Sequence, residues 1–137
     1  MSDTMPQEYS EPERQQLLQL ARASITHHLQ QGIDLRVQSE DFAPHLQALR
    51  ACFVTLKNKA QLRGCIGGLQ ATQPLVQTVA SNANNAAFRD PRFEPVQVHE
   101  FAQLTIHIAV LNPMEPLAFT SREDLRLHRI EHSDVDR

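Results

Sequence analysis

Two short β-prone runs, separated by five polar or small residues, constrain this chain more than anything else in it. The first is Ala51-Cys52-Phe53-Val54-Thr55-Leu56, apolar on both sides of the alternation, as in a buried strand. Lys57-Asn58-Lys59-Ala60-Gln61 turns the chain, and Leu62-Arg63-Gly64-Cys65-Ile66 runs back. Consecutive strands this close form a hairpin, which commits the sheet to at least one antiparallel pair. A two-residue loop at Asn58-Lys59 would set Cys52 opposite Cys65. Asn-Lys is not a favoured two-residue turn, so a longer loop is expected.

Helical patterns flank the hairpin. Ser10 is placed to cap a helix, with Pro12 in the first turn and Glu13 three residues after the serine. Leu17, Leu18, Ala21, Ile25 and Leu29 then form one apolar stripe, and Gly32 marks the stop. Residues 32–49 are ambiguous, with a loop and a short helical turn expected over 44–49. Thr72 and Pro74 open a second helix, Thr72 as candidate cap. Its buried face holds Leu75, Val76, Val79, Ala83, Ala86 and Ala87, and it stops before Pro91. Pro95 keeps the next stretch irregular. Residues 104–111 read as a central strand, Pro113 and Pro116 bracket a turn, and Ser121 with Asp124 starts a short helix. The fold class is α+β, an antiparallel or mixed sheet flanked by helices. The expected organisation is a flexible lead-in over 1–12, one domain over 13–124 and a divergent polar tail over 125–137.

At 137 residues, 41% of them hydrophobic, the chain is long and apolar enough for a single core. A net charge of -3 with scattered Lys and Arg, a single tyrosine and no tryptophan argue against nucleic-acid binding. No apolar run is long enough to span a bilayer, and the polar, acidic N-terminus does not read as a signal peptide. The expected compartment is therefore the cytoplasm, with Cys52 and Cys65 as free thiols. They lack C-x-x-C spacing. His128 and His132 are four apart without an obvious third ligand, so no metal site and no cofactor are expected.

Cys65 carries the candidate chemistry. It lies at a strand end among Gly64, Gly67 and Gly68, where missing side chains permit either a tight strand exit or close approach by another molecule. Arg63 is two residues away, so an unbroken strand would put both on one side, where a guanidinium favours the thiolate. His107, on a strand, would serve as base if its strand neighbours that of Cys65. The alternative is that Cys65 is a small buried residue beside packing glycines. Cys52 belongs to the core. Asp90-Pro91-Arg92-Phe93 forms a second constellation. Asp90 can pair with Arg92 or Arg63 or accept from backbone amides, and the arginines suit a carboxylate or phosphate; a purely structural corner is the alternative. Asn82, Asn84 and Asn85 read as solvated or locally hydrogen-bonded.

The motifs Phe53-Val54-Thr55-Leu56, Leu62-Arg63-Gly64-Cys65-Ile66-Gly67, Asn82-Ala83, Ala86-Ala87 and Asp90-Pro91-Arg92-Phe93 resemble the AMMECR family in kind and order. The resemblance runs past Glu100 to Val110-Leu111, Pro113 and Glu115-Pro116-Leu117. It covers roughly half the chain continuously and the first helix more loosely. It implies an antiparallel sheet with flanking helices in two unequal lobes, and an activity that is poorly established. It also implies association with a Memo-like protein and a radical-SAM protein, as in the AmmeMemoRadiSam set, and maps the family's cysteine motif to Cys65. The chain departs from the family at Ala109, where a small hydroxyl residue is usual. It departs again past Ser121, where further sheet and helix are normal, so an incomplete C-terminal part and a homo-oligomer covering the exposed surface are expected.

Two functions follow as expectations. One is a binding or accessory module acting through the Cys65 face, with Gly64, Gly67, Gly68, Asp90 and Arg92 contacting a small ligand or the Memo-like and radical-SAM partners. The other is a thiol-dependent enzyme with Cys65 as nucleophile and Arg63 and His107 assisting.

Overall fold

The computed structural model describes residues 9–112 and, as backbone with the Ile130 side chain, 127–131. Helix α1, Glu11–Gln31, starts as its sequence dictates. The Ser10 hydroxyl accepts from the Glu13 N–H at 3.2 Å, and the Glu13 carboxylate accepts from the Ser10 N–H at 3.0 Å. Two of the orphan donors at the helix start are thus satisfied. The helix ends at Gly32, whose φ of 76° is the left-handed conformation that glycine adopts without strain. Its stripe is buried as expected at Leu17, Leu18, Ala21 and Ile25, with Leu29 packed against the core.

Tyr9 lies within the stretch expected as a lead-in. Tyr9 is 2% exposed, stacks on His45 at 4.6 Å, and its hydroxyl accepts from Arg50 Nη1 at 3.0 Å. An aromatic body with a satisfied polar tip docks readily, and this one fixes the chain just before the cap.

Helix α2, Pro44–Gln47, supplies the expected short turn, with Leu46 fully buried. Strands β1, Cys52–Asn58, and β2, Gln61–Gly67, form the hairpin. The loop contains two residues, Lys59 and Ala60, at φ 53° and 72°, so the expectation of a longer loop is corrected. Positive φ at both central residues belongs to the turn whose twist matches the strands, and that match offsets the cost to non-glycine residues. A bulge at Leu56/Lys57 shifts the register, so Thr55, not Cys52, faces Cys65.

Helix α3, Leu75–Phe88, follows. Thr72 does not cap it. Pro74 precedes the first turn, and the Leu75 N–H goes to the Ala48 carbonyl at 2.8 Å. A partner from a distant loop thus takes the donor a cap would have served. Small residues let α3 lie close to both its neighbours. Ser24 of α1 donates to the Ala80 carbonyl at 2.7 Å, and Asn82 donates to the Cys52 carbonyl of β1 at 3.0 Å. The stretch after Pro95, expected to be irregular, contains helix α4, Val98–Phe101.

Strand β3, Leu104–Leu111, is interior, as expected, and β4, Leu127–Glu131, pairs with it. Among the described residues the sheet has four strands in the order β2-β1-β3-β4, with every pair antiparallel. β4 lies inside the stretch expected to be a polar tail, and Ile130 is buried. Helices α1 and α3 cover one face through Val54, Leu56, Ile106, Ile108 and Val110. Full burial of such a side chain contributes roughly 2 kcal/mol. The other face presents the half-buried Phe53, Thr55, Lys57, Thr105, His107 and Ala109. The second lobe, the turn at Pro113 and Pro116 and the Ser121 helix lie outside the described residues.

Candidate functional site

Cys65 is half-buried on β2, on the sheet face opposite the helices. Its Sγ lies 3.3 Å from the Thr55 hydroxyl directly across the hairpin. The next residue in that row is His107, opposite Thr55 on β3. β1 therefore stands between Cys65 and His107. Two strand spacings amount to about 9.6 Å between backbones, far beyond the reach of direct proton transfer. The two residues share a row but not a contact, and the expected role of His107 as a neighbouring base is not supported by the strand order.

Arg63 is also placed differently from the expectation. It is the extra residue of the bulge, between the paired Leu62 and Gly64. Its guanidinium goes to Glu100 on α4 through two parallel bonds, Nε to Oε1 at 3.2 Å and Nη2 to Oε2 at 2.8 Å. The Arg63 hydrogen bonds hold the Glu100 carboxyl below the usual carboxylate range. A cation committed this way to a carboxylate has little net field left for a thiol.

Of the options open to Asp90, the structure has it pair with Arg92 and accept from backbone amides, while Arg63 goes to Glu100. Pro91 fixes the turn, and Asp90 Oδ1 accepts the Arg92 N–H at 3.1 Å, an Asx-type turn. The Arg92 side chain closes back on the same carboxylate, Nε to Oδ1 at 3.0 Å and Nη2 to Oδ2 at 2.7 Å. Asp90 Oδ2 also accepts the Cys65 N–H at 3.0 Å, and Arg92 Nη2 donates to the Cys65 carbonyl at 3.4 Å. Asp90 is buried, and the Arg92 hydrogen bonds hold its carboxyl far below the ordinary value against the opposing effect of burial. Cys65 is thereby held at its backbone on one side and at its thiol on the other.

The glycines divide into two kinds. A side chain at Gly64 would meet the Ala86 carbonyl of α3 at 2.2 Å, and one at Gly67 would meet the Phe53 ring at 2.4 Å. What approaches these two closely is the chain itself. Gly68 has open space around it. Burial pushes the Cys52 thiol up to about 12, consistent with a core cysteine. Asn82 binds the β1 backbone, and buried Asn84 donates to Asp34 at 2.7 Å.

Thr55 and Glu100 are the site members that sequence reasoning missed. Thr55 needed the true register. Glu100 lies three residues after Gln97, whose N–H it accepts at 3.3 Å, a helix-start signal with no pointer to Arg63. A separate cleft of about 390 Å³ is lined by Arg50, Leu69, Gln70, Thr72, Leu111 and Asn112, among others, and Cys65 is not part of it. Among the described residues no group of three or more His, Cys, Asp or Glu side chains could hold a metal ion. Of the two C-terminal histidines, His128 is on β4 and His132 lies outside the described residues. No helix among the described residues is long and apolar enough to cross a membrane.

The family model described as AMMECR1 matches residues 18–133, well into the stretch expected to diverge. A protein of Methanothermobacter thermautotrophicus is 37% identical over 115 residues, covering 84% of this chain and 59% of that one. A protein of Saccharolobus solfataricus is 39% identical over 123 residues, covering 87% of this chain and 53% of the relative. Among solved structures, the uncharacterised protein PH0010 from Pyrococcus horikoshii superposes with a TM-score of 0.72 at 32% identity, covering 77% of this chain and 54% of that chain. This chain thus spans little more than half the length of these relatives.

Proposed function

This chain belongs to the AMMECR1 family, and we propose that it is a binding or accessory module that works through the sheet face around Cys65. The proposed partners are the Memo-like and radical-SAM proteins that the family resemblance implies. The observation that carries this reading is the hydrogen-bonding environment of the thiol. Among the described residues, the side chain bonded to Sγ is the Thr55 hydroxyl, neither an imidazole nor a carboxylate. Arg63 is paired with Glu100 and Arg92 with Asp90, so both arginines near Cys65 are committed to carboxylates. A rigid face of this kind, held by satisfied side chains, suits recognition better than nucleophilic attack.

The test is calorimetric titration of the chain with a purified Memo-like protein and a purified radical-SAM protein, using wild type, Arg63→Ala and Arg92→Ala. At least one partner should bind, and at least one variant should weaken it tenfold or more. Absence of binding to both, or equal affinity for all three chains, rejects the proposal. Thiol catalysis by Cys65 becomes the better reading if iodoacetamide modifies it much faster at neutral pH than it modifies an ordinary thiol.

A further inference from the structure

We propose that His28, Asp34 and Asn84 form a site for a divalent transition-metal ion, with zinc the ion that fits best. The three residues come together in the helical layer, on the side of the sheet away from the Cys65 face. His28 lies in the last turn of α1. Asp34 follows just after Gly32 turns the chain out of that helix. Asn84 lies on α3, one turn before Phe88. The His28 ring stacks on Phe88 at 4.1 Å, which fixes the direction in which its nitrogens point.

Two buried polar atoms in this cluster have no hydrogen-bond partner, His28 Nδ1 and Asn84 Oδ1. Such atoms are costly to leave unmet, and each one in a folded protein needs a cause. Asn84 is 2% exposed, and its Nδ2 donates to Asp34 Oδ1 at 2.7 Å, so the amide is pinned beside the carboxylate. His28 Nδ1 stands 3.4 Å from the same Asp34 Oδ1 with no hydrogen bond between them. Two ligands, each about 2.0–2.1 Å from a tetrahedral zinc ion, stand about 3.4 Å apart. In that arrangement the imidazole lone pair aims beside the carboxylate oxygen, at the ion, rather than at the oxygen itself. An imidazole nitrogen, a carboxylate oxygen and an amide oxygen make up the donor set, and imidazole with oxygen ligands suits zinc and its neighbours. The Asp34 side chain is 60% exposed, which gives the ion a route in and leaves a further position for water.

Arg89 is the competitor. Its Nη2 is 3.5 Å from Asp34 Oδ1, while Nη1 donates to Asn85 Oδ1 at 2.8 Å. A guanidinium at that distance opposes a second cation on the same carboxylate.

The experiment titrates zinc chloride into the metal-stripped protein by calorimetry, with circular dichroism to establish that each variant is folded. Wild type should bind one ion saturably and gain thermal stability when loaded. His28→Ala and Asp34→Ala should each weaken binding tenfold or more, and Arg89→Ala should tighten it by removing a positive neighbour. Cobalt in place of zinc should give the visible absorption of a tetrahedral site without a near-ultraviolet thiolate band, since neither cysteine takes part. Absence of saturable binding, equal affinity in wild type and Asp34→Ala, a thiolate band, or binding lost instead in His128→Ala/His132→Ala would overturn the proposal. If His28→Ala does not fold, Asp34→Ala decides, because that side chain is exposed. No partner protein enters this test, so its failure leaves the binding-module reading untouched.

Discussion

Asp90 and Cys65 are joined by a backbone N–H donated to a carboxylate at 3.0 Å, across 25 residues of sequence. This contact ties the corner after α3 to the edge strand. It makes Asp90 a structural anchor for the row Cys65, Thr55, His107, rather than a free acid on the surface.

The anchor has a pH signature. Arg92 and backbone donors hold the Asp90 carboxyl below its unfolded value of about 3.9. Its stabilisation is therefore fully present above that value and is lost as pH falls toward the lower folded value. Thermal unfolding followed from neutral pH down to about pH 2.5 should show a steep fall in Tm below about pH 4. Asp90→Ala should lower Tm at neutral pH by removing the acceptor of the part-buried Cys65 N–H and the ion-pair partner of Arg92, at a cost of about 1–3 kcal/mol. It should also flatten the acid-side fall. An equally steep fall in the variant would assign the effect to other carboxylates, with Glu100, held by Arg63, the first to examine.

The two cysteines should separate cleanly by labelling. Cys52 is fully buried with its thiol pushed up to about 12, whereas Cys65 is half-buried. Under native conditions a maleimide should modify Cys65 alone, and Cys52 should react only on unfolding. Peptide mass spectrometry reads the difference. His107→Ala should leave the pH dependence of Cys65 alkylation unchanged, because β1 separates the two residues.

The hairpin turn contains removable strain. Lys59 and Ala60 both have positive φ, a conformation that costs a non-glycine residue roughly 1 kcal/mol or more. Lys59→Asn with Ala60→Gly supplies the preferred pair for this turn and should raise stability by about 1 kcal/mol in denaturant unfolding. A loss of stability would contradict the assigned turn. Gly64→Ala should act in the opposite direction. Its methyl would meet the Ala86 carbonyl at 2.2 Å, and forcing α3 off the sheet costs about 1–3 kcal/mol.

What was legible in the sequence follows from where its signals are local. The start and end of α1 were readable because Ser10, Glu13 and Gly32 carry their chemistry within a turn of the helix. The strands of the hairpin and β3 were readable from β-branched and apolar runs. The turn was not, because Lys-Ala does not advertise positive φ and a bulge then shifts the register. That shift hid the Thr55–Cys65 pair. The placement of Arg63 was not readable, because alternation holds only along an unbroken strand and Glu100 lies on a four-residue helix in the stretch after Pro95. The Asp90–Arg92 pairing was readable as one of two options, but its grip on the Cys65 backbone depends on tertiary approach. β4 was missed because a polar edge strand with few apolar positions resembles a tail.

The central claim is that the face around Cys65 is a binding surface. Its most direct test is a nuclear magnetic resonance titration of the isotope-labelled chain with an unlabelled Memo-like protein, repeated with a radical-SAM protein. At least one partner should produce saturable shifts, clustered on Phe53, Thr55, Cys65, Gly68 and His107. Binding that leaves these residues unshifted and perturbs the outer surface of α1 instead, or no binding by either partner, would contradict it.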